Sequence, residues 1–277
     1  SKMDDFEIPE DIVETRTASS VIYDLSNEDY HNHKSISKSG LDLIAKSPAH
    51  FIKNERKESP AFKKGTLIHC AILEPDYLLS RYHPVNLRYD LRTKKGKALL
   101  EEETQLANGK IIVYPDEWNI AIRVRDEIHR HKVTKHLFDG GESEISVFSR
   151  LNDVDVRCRP DYINGSVVVD LKSTIEAKNK FKRSVVKLRY FVQDPFYSDI
   201  LRNEGLDVSN FLFVAIEKTE PFGIAIYELD DDAASYGRRE YTKDLETYKR
   251  CLDSGIWPGY EESIQTLSLP SYLTNGY

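Results

Sequence analysis

The dipeptide Asn164-Gly165 sits between two apolar runs, Val154 to Ile163 and Ser166 to Leu171, and this pairing constrains the fold more than any other feature of the chain. Asn-Gly favours the positive φ angles of a two-residue hairpin turn, so the two runs are predicted to pair as antiparallel strands. With Asn164 and Gly165 as the turn, Ile163 faces Ser166, Tyr162 faces Val167 and Asp161 faces Val168. Side chains alternate along a strand, which places Asp161, Val168, Asp170 and Lys172 on one face. Asp161 and Asp170 are then diagonal neighbours, about 7 Å apart at the backbone. Two carboxylates at that separation can reach one hard cation of the size of Mg2+ or Mn2+. Lys172 projects to the same side, where it can meet an attacking water or a phosphate oxygen.

Around this hairpin the chain changes period. Ser35-Ile36-Ser37-Lys38-Ser39-Gly40 leads into a short helix with Leu41, Ile44 and Ala45 on one face, stopped near Ser47-Pro48, and Gly65 to Leu73 forms a second helix ended by Glu74-Pro75. Asp116 is placed to cap a longer helix with Ala121, Val124 and Ile128 on its apolar stripe. Glu144 to Ser149 alternates like a strand, Phe211 to Ile216 reads as a buried strand, and Gly223 to Leu229 as its neighbour. Tyr241, Leu245, Tyr248 and Leu252 stripe a final helix that stops at Gly255 and Pro258. The order implies an α/β (α+β) domain with a central mixed β-sheet flanked by helices, spanning 21–277 after a tail or linker over 1–20.

Composition narrows the function. In 277 residues, 40% hydrophobic and 10% aromatic, there is enough apolar surface for a sizeable core, and no apolar run reaches the length of a membrane span. The acidic start carries no secretory signal, so a cytoplasmic location is expected. Cys70, Cys158 and Cys251 are scattered, which excludes a four-cysteine cluster and favours reduced, buried thiols. Net charge is −7, yet residues 81–97 carry +5 and residues 178–189 carry +6, leaving −18 for the remainder. An acidic body with two basic stretches suits an enzyme that guides a polyanion along one surface. In the first stretch, Arg92-Thr93-Lys94-Lys95-Gly96-Lys97 precedes a helix-forming run, and a basic turn at a helix N-terminus is a natural phosphate contact. No Walker loop is present. His31-Asn32-His33 is read as loop, and His129 and His131 as exposed at a helix end.

Arg159-Pro160-Asp161 followed by Val168-Val169-Asp170-Leu171-Lys172 resembles the core of the PD-(D/E)xK nucleases. Gly65-Thr66-Leu67-Ile68-His69 is similar to the GxxxH motif of the branch that includes the RecB nuclease domain and the lambda-type exonucleases. Gln193-Asp194-Pro195-Phe196-Tyr197 is similar to its QxxxY motif. The likeness to the RecE (exonuclease VIII) nuclease domains runs from about Asn27 to Tyr272, with Ser35-Ile36-Ser37-Lys38-Ser39 near one end and Trp257-Pro258 and Thr266-Leu267-Ser268-Leu269-Pro270 near the other.

The resemblance implies a restriction-endonuclease-like core. His69, Asp161, Asp170 and the backbone carbonyl of Leu171 would hold Mg2+, with Mn2+ able to substitute, and Glu144 is a candidate support for that metal shell. Lys172 would orient and activate the attacking water, and Gln193 and Tyr197 would work near the active site. Pro195 between them predicts a helix that either kinks or starts at Asp194. The resemblance further implies two-metal hydrolysis, 5′-to-3′ digestion of double-stranded DNA ends to leave 3′ overhangs, and a ring-like homotetramer. It also implies a RecT-like single-strand annealing partner for recombination. Arg92, Lys95, Lys97, Lys180, Lys182 and Arg183 are the candidate DNA contacts. The alternatives are another PD-(D/E)xK nuclease, an endonuclease or CRISPR-adaptation type, and an inactive DNA-binding scaffold.

Overall fold

The architecture was obtained as a computed structural model and is described for residues 20–54 and 60–275, leaving aside the side chains of 60–65. The predicted tail over 1–20 lies outside the described residues except for Ser20. Among the described residues there are ten strands: β1 (Val21–Ile22), β2 (Tyr82–Pro84), β3 (Ile111–Val113), β4 (Glu142–Ser143), β5 (Ser146–Leu151), β6 (Val154–Cys158), β7 (Tyr162–Asn164), β8 (Val167–Thr174), β9 (Asn210–Glu217) and β10 (Ile224–Tyr227). They form a five-stranded mixed sheet in the order β10-β9-β8-β7-β4, a three-stranded sheet β1-β5-β6, and a small parallel pair β2-β3. β8 and β9 run parallel and are linked through the helices Asn179–Lys187 and Tyr190–Asn203, while β7 and β8 are antiparallel.

The expected α/β class is therefore found, but the hairpin differs from its predicted form. The run Val154 to Ile163 is two strands in two different sheets, interrupted at Arg159-Pro160-Asp161. Pro160 has no amide hydrogen to offer a ladder, so pairing lapses there. Asn164 pairs with Val167, Ile163 with Val168 and Tyr162 with Val169, so Gly165 and Ser166 are the turn residues. Gly165 supplies the positive φ (58°). Asn164 is a strand residue, and its side-chain amide donates to the carbonyls of His136 (3.0 Å), Leu137 (3.1 Å) and Asp139 (3.0 Å). The pairing is shifted by two from the expected register, and an even shift leaves every side chain on its predicted face.

Two hydrophobic layers enclose the main sheet. Val169, Leu171, Val214 and Ile216 pack with Leu67, Ile68 and Ala71 of the helix Pro60–Leu73 and with Ala121, Val124 and Ile128 of the helix Pro115–Arg130. That second helix starts at Pro115 with Tyr114 as the flanking residue, and Asp116 lies in its first turn rather than capping it. On the other face Val168, Phe211, Phe213 and Ala215 meet Val192, Phe196 and Ile200 of the helix Tyr190–Asn203, and Tyr241, Leu245 and Tyr248 of the long helix Asp231–Ser254. Cys251, not Leu252, completes that stripe, since Leu252 is 45% exposed; Gly255 ends the helix in the left-handed region (φ 70°). All three cysteines are free and buried. His31 and Asn32 belong to the helix Asn27–Asn32 rather than a loop; at the end of the helix Pro115–Arg130 His129 is exposed as expected, whereas His131, the capping residue, is half-buried. Among the described residues no helix is long and apolar enough to cross a membrane.

The helix Tyr190–Asn203 carries Pro195 inside it and runs through without starting at Asp194. Pro195 removes the amide bond that the Phe191 carbonyl would receive. The long helix covers that carbonyl at Gly237, where an added Cβ would lie 1.9 Å from Phe191 O and 2.9 Å from Pro195 Cγ. Glycine at 237 thus lets two backbones meet where one hydrogen bond is missing. Gly237→Ala is expected to lower stability by about 1–3 kcal/mol through overpacking, read as a fall in the urea midpoint; an unchanged midpoint would show that the helices can part there at no cost.

Candidate active site

β8 outlasts its partner β7. Carried one step beyond Tyr162 and Val169, the register puts Asp161 directly across from Asp170 rather than diagonal to it. Past the end of β7 the Leu171 amide has no strand carbonyl to meet on that side, and it donates instead to Asp161 Oδ2 at 2.7 Å. The same oxygen lies 3.5 Å from His69 Nε2, which reaches in from the helix on the opposite face of the sheet. Asp170 is 4% exposed and sits on β8 between two protein donors. Gln193 Nε2 donates to its Oδ1 at 2.7 Å, and Lys172 Nζ stands 3.0 Å from its Oδ2. His69, Asp161, Asp170, Lys172 and Gln193 are thereby brought together.

Glu144 borders this group by its backbone. It is not part of a strand, as the alternation suggested, but a left-handed residue (φ 54°) between β4 and β5. Its amide donates to the Asp161 carbonyl at 3.1 Å, and its carboxylate pairs with Arg159 at 3.2 Å. Tyr197 lies one turn beyond Gln193, against the rings of Phe196 and Phe211. Among the described residues, no hydrogen bond of Asp161, Asp170 or Lys172 runs to it. The six basic candidates lie elsewhere on the surface, all exposed. Lys95 and Lys97 are in the first turn of the helix Lys94–Ala107, capped by Thr93, and Arg92 is clamped on Asp90 at 2.9 and 3.0 Å. Gly96 is required there, since a Cβ would lie 1.9 Å from the Asp90 carbonyl. Lys180, Lys182 and Arg183 are on the helix Asn179–Lys187, which follows β8 and buries Phe181 on its other side.

The electrostatics follow from burial. Burial alone would raise Asp161, but His69, Lys172 and the Leu171 amide outweigh it and hold its carboxyl below the usual range. Burial pushes Asp170 up to about 6 against the pull of Lys172. Lys172 stays charged because Asp170 foremost, then Tyr190 and Asp161, overcome the cost of its burial. Burial, with the like charge of Asp161, pushes Glu144 up to about 7.

Among the described residues, no three His, Cys, Asp or Glu side chains converge tightly enough to enclose an ion as they stand. The donor chemistry nonetheless fits a divalent cation. Asp170 Oδ2 is buried and lacks a well-formed hydrogen bond, and across from Asp170 in register stands Asp161, whose own Oδ2 lies 3.5 Å from the His69 imidazole. Two hard oxygens and a borderline nitrogen are donors that a divalent metal ion accepts.

A family described as a PDDEXK-like domain of unknown function (DUF3799) matches residues 33–270 of the chain. The chain belongs to this family. Its superfamily is thus that of the PD-(D/E)xK nucleases, whose signature the sequence around Asp161, Asp170 and Lys172 resembles. A crystal structure of a protein from Eubacterium rectale, provisionally described as an exonuclease, superposes with a TM-score of 0.58 at 17% identity, covering 92% of this chain and 100% of that one. A second structure, of SSO0001, reaches only 0.30 at 17% identity, covering 79% and 95%, and carries no weight. No curated protein matches in sequence.

One neighbour of the site is not singled out by the sequence: Tyr190, whose ring lies 4.3 Å from Lys172 Nζ. Tyr190 had a signal, standing three residues before Gln193 on the same helix, but one more aromatic on a buried helix does not stand out. In metal-free buffer Glu144→Gln is expected to stabilise the protein by about 1–3 kcal/mol at pH 8. The folded state holds this carboxyl protonated up to about pH 7, against an ordinary value of 4.5. Its favourable contribution is complete below the ordinary value and is lost as pH rises through 7. The gain should vanish by pH 4; a pH-independent difference in thermal midpoint would contradict the burial of this charge.

Proposed function

We propose that this PDDEXK-like domain is a Mg2+-dependent exonuclease of double-stranded DNA, of the RecE type, degrading 5′ to 3′ and leaving 3′ overhangs for recombination by strand annealing. The observation that carries the reading is the convergence of Asp161, Asp170 and Lys172 on one edge of β8, with His69 and Gln193 closing the two ends. The family supports a nuclease, and the fold is shared with a protein provisionally described as an exonuclease.

His69, Asp161, Asp170 and the Leu171 carbonyl would hold the cation, with Mn2+ able to replace Mg2+. Such a cation supplies charge neutralisation at the phosphodiester and acidifies a water. The rest falls to the chain. Asp161 is fixed by the Leu171 amide and Asp170 by Gln193, so neither carboxylate has to be ordered when substrate arrives. The Lys172 ammonium donates to the attacking water or the phosphate oxygen beside Asp170. Gln193 keeps Asp170 aimed, and Tyr197 seals the site from behind. Arg92, Lys95, Lys97, Lys180, Lys182 and Arg183 grip phosphates along the duplex. A ring-like homotetramer and a RecT-like annealing protein are the proposed assembly and partner.

With Mg2+, the protein should digest linear duplex DNA and spare a covalently closed circle. Cutting the circle would favour an endonuclease; cutting neither would favour an inactive scaffold. Lys172→Ala should lower cleavage by on the order of 10²-fold or more with DNA binding retained, and near-normal turnover would remove Lys172 from the mechanism. Lys95→Ala/Lys97→Ala should flatten the log-log salt dependence of DNA binding by about 0.9 per lost phosphate contact, with Mn2+ binding untouched; an unchanged slope would leave that turn merely solvated.

A further inference from the structure

Lys172 Nζ has two close neighbours: Asp170 Oδ2 at 3.0 Å and the face of Tyr190, whose ring centroid is 4.3 Å away. The first neighbour is conditional. Asp170 Oδ2 is the buried oxygen without a well-formed hydrogen bond, so it is the one open to a cation, and a cation there competes with Lys172 for it. A lysine that loses its ion-pair partner on a buried strand swings on four rotatable bonds unless something else holds it.

The second neighbour is fixed. Tyr190 is the first residue of the helix Tyr190–Asn203, and its ring lies between Phe213 (6.1 Å, stacked) and Phe181 (6.0 Å, tilted). The preceding Arg189, in the left-handed region at φ 55°, is tied to Asp42 at 2.8 Å and to Asp244 at 2.5 Å. A second ammonium, Lys38 Nζ, stands 5.7 Å from the same ring and is itself held by Asp42 (2.7 Å) and the Leu188 carbonyl (2.6 Å). Lys38 and Lys172 thus repel each other across the surroundings of one ring, while Lys38 is anchored independently of Lys172.

We infer that Tyr190 is the positioning residue for Lys172: its π face keeps the ammonium in the site once Asp170 is committed to a cation. This rests on the reading of Lys172 as the group facing the attacked phosphodiester. The attraction is electrostatic, between a cation and the negative face of the ring, and does not need the phenol oxygen.

The test is a series at position 190 carrying phenylalanine and its mono-, di- and trifluorinated forms, which weaken the ring face stepwise with little change of shape. Turnover of linear duplex with Mg2+ should be near wild type for Tyr190→Phe and fall with each fluorine, by about tenfold across the series. KM and Mn2+ affinity should stay constant. Tyr190→Leu should be at least as slow as the trifluorinated variant. Constant turnover across the fluorines, or a Phe variant as slow as Leu, would overturn the inference, because a purely steric role responds to shape alone. Wild-type protein that cuts linear duplex and depends on Lys172, yet gives a flat series, refutes only the role of Tyr190. Wild-type protein that cuts no linear duplex refutes the nuclease reading itself.

Discussion

The site depends on one hydrogen bond, from the Leu171 amide to Asp161 Oδ2 at 2.7 Å. It exists because the chain stops pairing at Arg159-Pro160-Asp161 while β8 continues. A buried amide must find an acceptor, and the nearest one is the carboxylate that directly follows the proline. That requirement places Asp161 opposite Asp170 and turns it toward His69. The acidic pair is thus a by-product of how the sheet solves its own hydrogen bonding. The cost is visible in Asp170 and Glu144, both pushed toward protonation by burial.

The other half of the site comes from the helix Tyr190–Asn203, whose placement is overdetermined. At its start Arg189 bridges Asp42 and Asp244, tying three helices together. In its middle, the carbonyl that Pro195 leaves without a donor is covered at Gly237. Between these two anchors stand Tyr190 and Gln193, one against Lys172 and the other on Asp170. Rigid support on both sides of a pair of side chains is what a preorganised polar site requires.

Much of this was legible in the sequence. The shared face of Asp161, Asp170 and Lys172 follows from a period of two, and it survived a turn displaced by one residue because the register moved by an even step. The helix carrying His69 and the basic helix start after Arg92 were equally plain. The division of Val154 to Ile163 between two sheets was not, because its apolar alternation passes Pro160 without a break. The fate of Pro195 was not either, since the glycine that covers its orphaned carbonyl lies on a different helix far along the chain. Tyr190 escaped notice because a ring that holds a lysine and a ring that fills a core look alike in one dimension.

The central claim is that Asp161 and Asp170 form one cation site from which Lys172 yields without leaving. A crystal structure with Mn2+, read by its anomalous scattering, tests this most directly. The account predicts a peak about 2.1 Å from an oxygen of each carboxylate, with Lys172 Nζ displaced from Asp170 and still over the Tyr190 ring. A peak elsewhere, or none with Lys172 still paired to Asp170 at saturating Mn2+, would contradict it.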